Sequence, residues 1–210
     1  MEINNFILGE FETNCYVVRK NRSCPDCLII DAGLQADELV DFLESCKLTP
    51  GSVILTHGHA DHIAGLQLLQ KKWPELKVCI HNLDAEMLTR PDINLSMLAG
   101  TLVEIKQPDI LLSDGQLIEQ LGISLKVIHT PGHTPGGICL YSKGEQLLFS
   151  GDTLFAGSVG RTDFPGGNMQ QLIKGIKEKL LILPDRTKVL PGHGPATTIG
   201  EEKQSNPFLQ

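Results

Sequence analysis

Thr56-His57-Gly58-His59-Ala60-Asp61-His62 places three imidazoles and a carboxylate within six residues, directly after the apolar run Val53-Ile54-Leu55. No single helix or strand can aim all four side chains at one ion. His57 and His59, two apart on an extended turn, point the same way, whereas Asp61 and His62 open the following helix and project elsewhere. The segment therefore reads as half of each of two adjacent metal sites.

The same pattern recurs along the chain. Val127-Ile128 precedes Thr130-Pro131-Gly132-His133, Leu147-Leu148-Phe149 precedes Gly151-Asp152, and Val189-Leu190 precedes Pro191-Gly192-His193. Strands ending on one edge of a core would deliver these side chains to one place, and Pro and Gly at three of the exits allow the sharp turns required. Five of the seven histidines (His57, His59, His62, His133 and His193) fall in these exits, together with Asp61 and Asp152. Seven ligands, divided as three per ion plus one shared carboxylate, suit two divalent ions with a bridging water. His81 follows Val78-Cys79-Ile80 alone, and His129 is too near His133 to reach the same ion, so both are expected to be structural or to support ligands.

Outward from these exits, β-rich runs are predicted at Ile3–Leu8, Asn14–Arg19, Leu28–Asp31, Ser52–Thr56, Lys77–Ile80, Ser124–His129, Ile138–Ser142, Gln146–Ser150 and Lys188–Leu190. Helical spacing appears at Asp37–Lys47, where Pro50-Gly51 stops the pattern, and at His62–Trp73, Asn82–Thr89 and Met169–Leu180. Strands outnumber helices and helices occur in both halves, which favours two sheets flanked by helices over one doubly wound sheet. No linker marks a boundary, so residues 1–210 are expected to form one domain.

Composition excludes several classes. The chain of 210 residues carries 18 Lys+Arg against 25 Asp+Glu, a net charge of -7, and no basic run of the kind that nucleic acid or an anionic membrane would require. The start Met1-Glu2-Ile3-Asn4-Asn5 lacks a cationic signal region and no stretch approaches a membrane span, so a soluble, cytoplasmic protein is expected, as a monomer or small homo-oligomer. Six cysteines are too few for a disulfide scaffold, and Cys15, Cys46, Cys79 and Cys139 read as small core residues. Cys24-Pro25-Asp26-Cys27 lacks a second cysteine pair at zinc-site spacing and reads as a turn that carries two thiols.

The motifs Thr56–His62, Pro131-Gly132-His133-Thr134-Pro135-Gly136, Ser150-Gly151-Asp152-Thr153 and Pro191-Gly192-His193-Gly194, in this order and spacing, resemble those of the metallo-β-lactamase superfamily. The resemblance implies an α/β fold, a four-layer αββα sandwich of two mixed β-sheets flanked by helices, with metals at one edge. It also implies that His57, His59 and His133 hold one ion, that Asp61, His62 and His193 hold the second, and that Asp152 bridges. Thr13-Asn14-Cys15-Tyr16, Asp31-Ala32-Gly33 and Gly157–Pro165 are similar to short hydrolases of the glyoxalase II-like branch, the hydroxyacylglutathione hydrolases.

That branch implies a thioesterase acting through a metal-bridging hydroxide on a small-molecule thioester, with Asp61 and Asp152 as catalytic as well as ligating groups. Two Zn²⁺ ions are expected, although imidazole and carboxylate suit Fe or Mn equally. Full-length glyoxalase II enzymes add a helical C-terminal part that grips glutathione, whereas 17 residues follow His193 here, so weak dependence on glutathione is expected. Arg161 has two open roles, holding a substrate carboxylate or bracing its loop with Asp163. The rival reading is an oxidoreductase similar to persulfide dioxygenases, with a single iron.

Overall fold

The computed structural model describes all residues from Met1 to Gln210. Strands β1 (Glu2–Leu8), β2 (Thr13–Arg19), β3 (Asp26–Ile30), β4 (Thr49–Ile54), β5 (Lys77–His81) and β6 (Ile110–Leu112) form the first sheet, in chain order. The second sheet runs β14 (Thr197–Thr198), β13 (Lys188–Pro191), β10 (Leu147–Gly151), β9 (Ile138–Ser142), β8 (Ile123–His129) and β7 (Leu117–Gln120). A small hairpin joins β11 (Leu154–Phe155) to β12 (Ser158–Val159). Both sheets are mixed, because β3-β4-β5-β6 and β10-β13 are parallel and the other pairs antiparallel.

The four layers follow from the two-residue period of the strands. In β2, Cys15 and Val17 join a core with Leu39, Val40 and Leu43 of α1 (Asp37–Ser45) and Leu66 and Leu69 of α3 (Leu66–Lys72). Tyr16 and Val18 face the other way, into a central core with Leu125, Val127, Leu140 and Phe149 of the second sheet. The outer face of that sheet, through Cys139, Tyr141, Leu148 and Val189, packs on Leu172 of α4 (Met169–Gly175), on Ile176 and Leu180 of the π turn that continues it, and on Ile199 of α5 (Ile199–Ser205). Three apolar seams between four layers make the αββα sandwich expected from the sequence.

Several elements differ from the sequence expectation, each for a local reason. The helix expected over His62–Trp73 is two pieces, α2 (Ala60–Ile63) and α3, because Gly65 N donates to Ala32 O at 2.9 Å and presses against the Ala32–Gly33 backbone. Strand β4 starts before Pro50-Gly51, and the register slips there, so the proline falls at a bulge where its missing N–H costs nothing. Asn82–Thr89 is a 3₁₀ helix. Cys46 is exposed, not in the core, because it caps α1 just before Lys47 turns the chain at φ 54°. Cys27 is a buried member of β3, and all six thiols are free. Strands β6, β7, β11, β12 and β14 were too short to show a period, and α5 has few apolar residues to mark it. No helix is long and apolar enough to cross a membrane.

Phe149, fully buried in the central seam, is the side chain on which both sheets close. Replacing it with Ala is expected to cost about 3–5 kcal/mol in chemical denaturation of the metal-free protein, against about 0.5 kcal/mol or less for Ile182→Ala, which is 73% exposed.

Candidate metal centre

Four strand ends bring the seven candidate ligands together. β4 leads into His57 and His59, α2 carries Asp61 and His62, the turn after β8 carries His133, Asp152 directly follows β10 and His193 lies two residues beyond β13. Three groups have ligand atoms within 4.8 Å of one another: His57, His59 and His133; His57, His62 and Asp152; and Asp61, His62 and His193. The edge is closely built, since a Cβ on Gly192 would overlap the Asp152 carboxylate and the His62 ring.

The hydrogen bonds made by the other ring nitrogens fix what each imidazole presents to the centre. His62 Nδ1 lies 2.9 Å from Asp31 Oδ2, His193 Nδ1 lies 2.9 Å from Phe11 O, and His133 Nδ1 lies 2.7 Å from Arg161 O. Each of those oxygens can only accept, so each Nδ1 carries the proton. Thr56 Oγ1 donates to Asp31 Oδ2 at 2.8 Å and so accepts from His57 Nδ1 at 3.2 Å. Tautomers assigned from this network leave four Nε2 lone pairs pointing inward.

Those lone pairs meet one another and the carboxylates. His62 Nε2 and His193 Nε2 are 3.2 Å apart, with Asp61 Oδ2 at 3.2 Å from the latter and Asp152 Oδ1 at 3.4 Å from the former. His57 Nε2, His133 Nε2 and Asp152 Oδ1 are buried without any hydrogen-bond partner. An assembly of acceptors without donors is costly unless cations occupy it, and the donor set, imidazole and carboxylate, fits divalent transition ions.

The charge states agree. Burial, with His62 and His59 nearby, holds His57 well below the ordinary histidine pKa, and burial with His133 nearby pushes His59 down to about 3, so both are neutral and able to ligate. Desolvation opposes the charge of Asp152, yet His62, His133 and His57 keep its pKa well below the usual carboxylate range. For His62, burial opposes the proton but Asp152, Asp61 and Asp31 together raise the pKa, a measure of how strongly this point attracts positive charge.

Two buried carboxylates behind the ligands were missed as site residues. Asp31 accepts from Thr56 N at 2.7 Å as well as from Thr56 Oγ1, beside its contact with His62. Asp84 accepts from Gly58 N at 3.2 Å, Thr134 Oγ1 at 2.7 Å and Gly136 N at 2.5 Å, which ties the His57–His59 turn to the His133 turn. Asp31 stood in a quoted motif at the end of a strand, a usable signal, whereas nothing local marks Asp84. Asn14 Nδ2 donates to Pro191 O at 3.0 Å and Gly194 O at 2.9 Å, and Tyr16 Oη to Pro191 O at 2.7 Å, so the first sheet holds the His193 loop.

His81 and His129 stack with ring centroids 4.2 Å apart, away from the ligand groups. Arg161 makes a bidentate pair with Asp163 at 3.0 and 2.8 Å and lies 4.3 Å over the Phe164 ring, which is the bracing role of its two open readings. Replacing Asp31 with Asn is expected to weaken divalent-metal binding about 10–100-fold in chelator competition, with His129→Ala within about twofold of the parent.

Comparison with known proteins agrees with the fold. The model of the metallo-beta-lactamase superfamily matches residues 8–193. The probable metallo-hydrolase YqgX of Bacillus subtilis is 40% identical, over 96% of this chain and 94% of its own. Hydroxyacylglutathione hydrolase GloC of Haemophilus influenzae is 35% identical, over 100% and 98%. The crystal structure of BLEG-1 B3 metallo-beta-lactamase superposes with a TM-score of 0.94 at 38% identity, covering 100% of both chains. TTHA1623 in a di-iron-bound form gives 0.87 at 34% identity, covering 98% of this chain and 100% of its own. With its motif order, sandwich and His/Asp cluster all in place, this chain belongs to the metallo-β-lactamase superfamily and is a metallo-hydrolase.

Proposed function

We propose that the chain is a thioesterase of the glyoxalase II type, working with two divalent ions held by His57, His59 and His133 and by Asp61, His62 and His193, with Asp152 between them. The observation that carries the reading is the lining of the cavity above the cluster, about 400 Å³, which contains no Ser, Thr, Cys, Lys or Tyr. The walls thus offer no protein nucleophile and no general acid, and a thiolate is a leaving group that departs without one. The name of the Haemophilus influenzae relative supports the same chemistry.

When bound, such ions lower the pKa of coordinated water to near neutrality and polarise a carbonyl oxygen. The protein's part is orientation. The Asp152 and Asp61 carboxylates are the acceptors that would orient an attacking water, and Thr13 Oγ1 fixes Asp61 Oδ2 from behind at 3.4 Å. Asp31 and the carbonyls of Phe11 and Arg161 hold the imidazoles so that the ring planes cannot turn away.

The GloC sequence is matched over 98% of its length, so chain length carries no weight against glutathione. Weak dependence on that moiety is instead supported by the wall, where Arg161, the one Lys or Arg side chain, is already paired with Asp163.

Elemental analysis of metal-replete protein is expected to find close to two ions per chain, and one ion or none would overturn the dinuclear assignment. Asp152→Ala is expected to lower metal content and to reduce kcat/KM at least about a hundredfold. S-lactoylglutathione and the lactoyl thioester of a small thiol should have kcat/KM values within about a hundredfold of each other, equivalent to about 2.7 kcal/mol. Preferred hydrolysis of a β-lactam would move the chain toward the activity named for BLEG-1. Oxygen uptake on a persulfide, with no thioester turnover, would move it to the oxidoreductases.

A further inference from the structure

The segment after the 3₁₀ helix, Ile93 to Val103, is assigned no element by the sequence and forms one wall of the metal cavity. Its neck is built from polar groups that satisfy one another. Buried Asn94 donates through Nδ2 to Met87 O at 2.9 Å and Val103 O at 2.8 Å, and its Oδ1 accepts from Ser96 N at 3.1 Å and Ser96 Oγ at 2.5 Å. Ser96 Oγ in turn accepts from Val103 N at 2.9 Å. The neck is fixed to the centre, because Ala60 N, between His59 and Asp61, donates to Asn94 O at 2.7 Å.

The tip above that neck is apolar. Leu95, Leu98 and Ala99 line the cavity, and Leu98 is 61% exposed. Phe11, Phe155 and Phe164 complete the wall, so beyond the candidate ligands and the paired Arg161 the cavity offers no polar side chain. A lactoyl hydroxyl or a peptide amide would find no side-chain partner on this wall, whereas methylenes would remove apolar surface from water on both sides.

We infer that Leu95, Leu98 and Ala99 form an acyl-binding wall and that the preferred substrates carry an unsubstituted aliphatic acyl group of several carbons. The inference deepens the thioesterase reading and rests on it for the nature of the bond cleaved. The anchored neck holds the wall at a set distance from the ligands, so an acyl chain is gripped while its carbonyl stays at the centre.

The zinc-loaded protein tests this with acetyl, lactoyl, butyryl and hexanoyl thioesters of one small thiol, and by calorimetric binding of acetate and hexanoate. kcat/KM is expected to rise about three- to fourfold per buried methylene, and hexanoate to bind at least about tenfold tighter than acetate. Leu98→Ser should remove most of both preferences while leaving metal content unchanged. Met97→Ser, at an exposed position that does not line the cavity, should change neither preference.

Turnover of all four thioesters with no gain from chain length, or with lactoyl preferred to butyryl, overturns the acyl wall and leaves the thioesterase reading standing. Absence of all thioester turnover, with hexanoate still favoured and Leu98→Ser abolishing that preference, overturns the thioesterase reading and keeps the wall. Equal binding of acetate and hexanoate without turnover overturns both.

Discussion

Inward-facing lone pairs of His62, His133 and His193 and the oxygens of two carboxylates meet at 3.2–3.5 Å, and the surrounding structure is arranged to make them do so. Left alone, such groups would rotate apart or draw in protons. Here the Nδ1 atoms of His57, His62, His133 and His193 are each committed to an oxygen behind the ring, so rotation would break a hydrogen bond. The resulting field is one that cations relieve, and metal binding is therefore coupled to the stability of the edge that creates it.

Two sheets are needed for this geometry because no single sheet edge offers ligands from enough directions. His57 and His59 leave the first sheet after β4, and His133, Asp152 and His193 leave the second after β8, β10 and β13. Relative position is then set by what crosses the seam. Thr56 O accepts from Ile138 N at 2.9 Å, Asn14 N donates to Gly192 O at 2.7 Å, and Thr13 pairs with His193 as an isolated bridge. With Phe149 and Tyr16 in edge-on contact at 5.2 Å between centroids, the central core works as a spacer for the metal edge.

The legible part of the molecule was the part whose information is local. The spacing within His57–His62 and the apolar run before each exit are readable over six to eight residues, and those runs also fixed the strands that carry the site. What stayed hidden depends on distant partners. Asp84 acts on Gly58, Thr134 and Gly136, up to 52 positions away. The break at Gly65 exists because Ala32 O lies against it, and Asn94 matters only because Met87, Val103 and Ala60 come together around it. Cys46 failed as a core residue for a similar reason, since apolar neighbours in sequence do not say which way a helix cap turns.

The same separation orders the chemistry. The candidate ligands, and the groups that fix their tautomers, are drawn from strand ends and buried carboxylates, where backbone ladders leave little freedom. The cavity wall is drawn from Leu95, Leu98, Phe155 and Phe164, which contribute surface and shape but no donors or acceptors to the centre. A change in the wall can therefore alter which substrate is accommodated without disturbing the hydrogen bonds that orient the imidazoles. The backbone hydrogen bond from Ala60 to Asn94 joins the two parts, between two candidate ligands. It lets the wall vary in side chain while its distance from the centre stays constant, so a hydrolytic centre built once can be directed to different substrates.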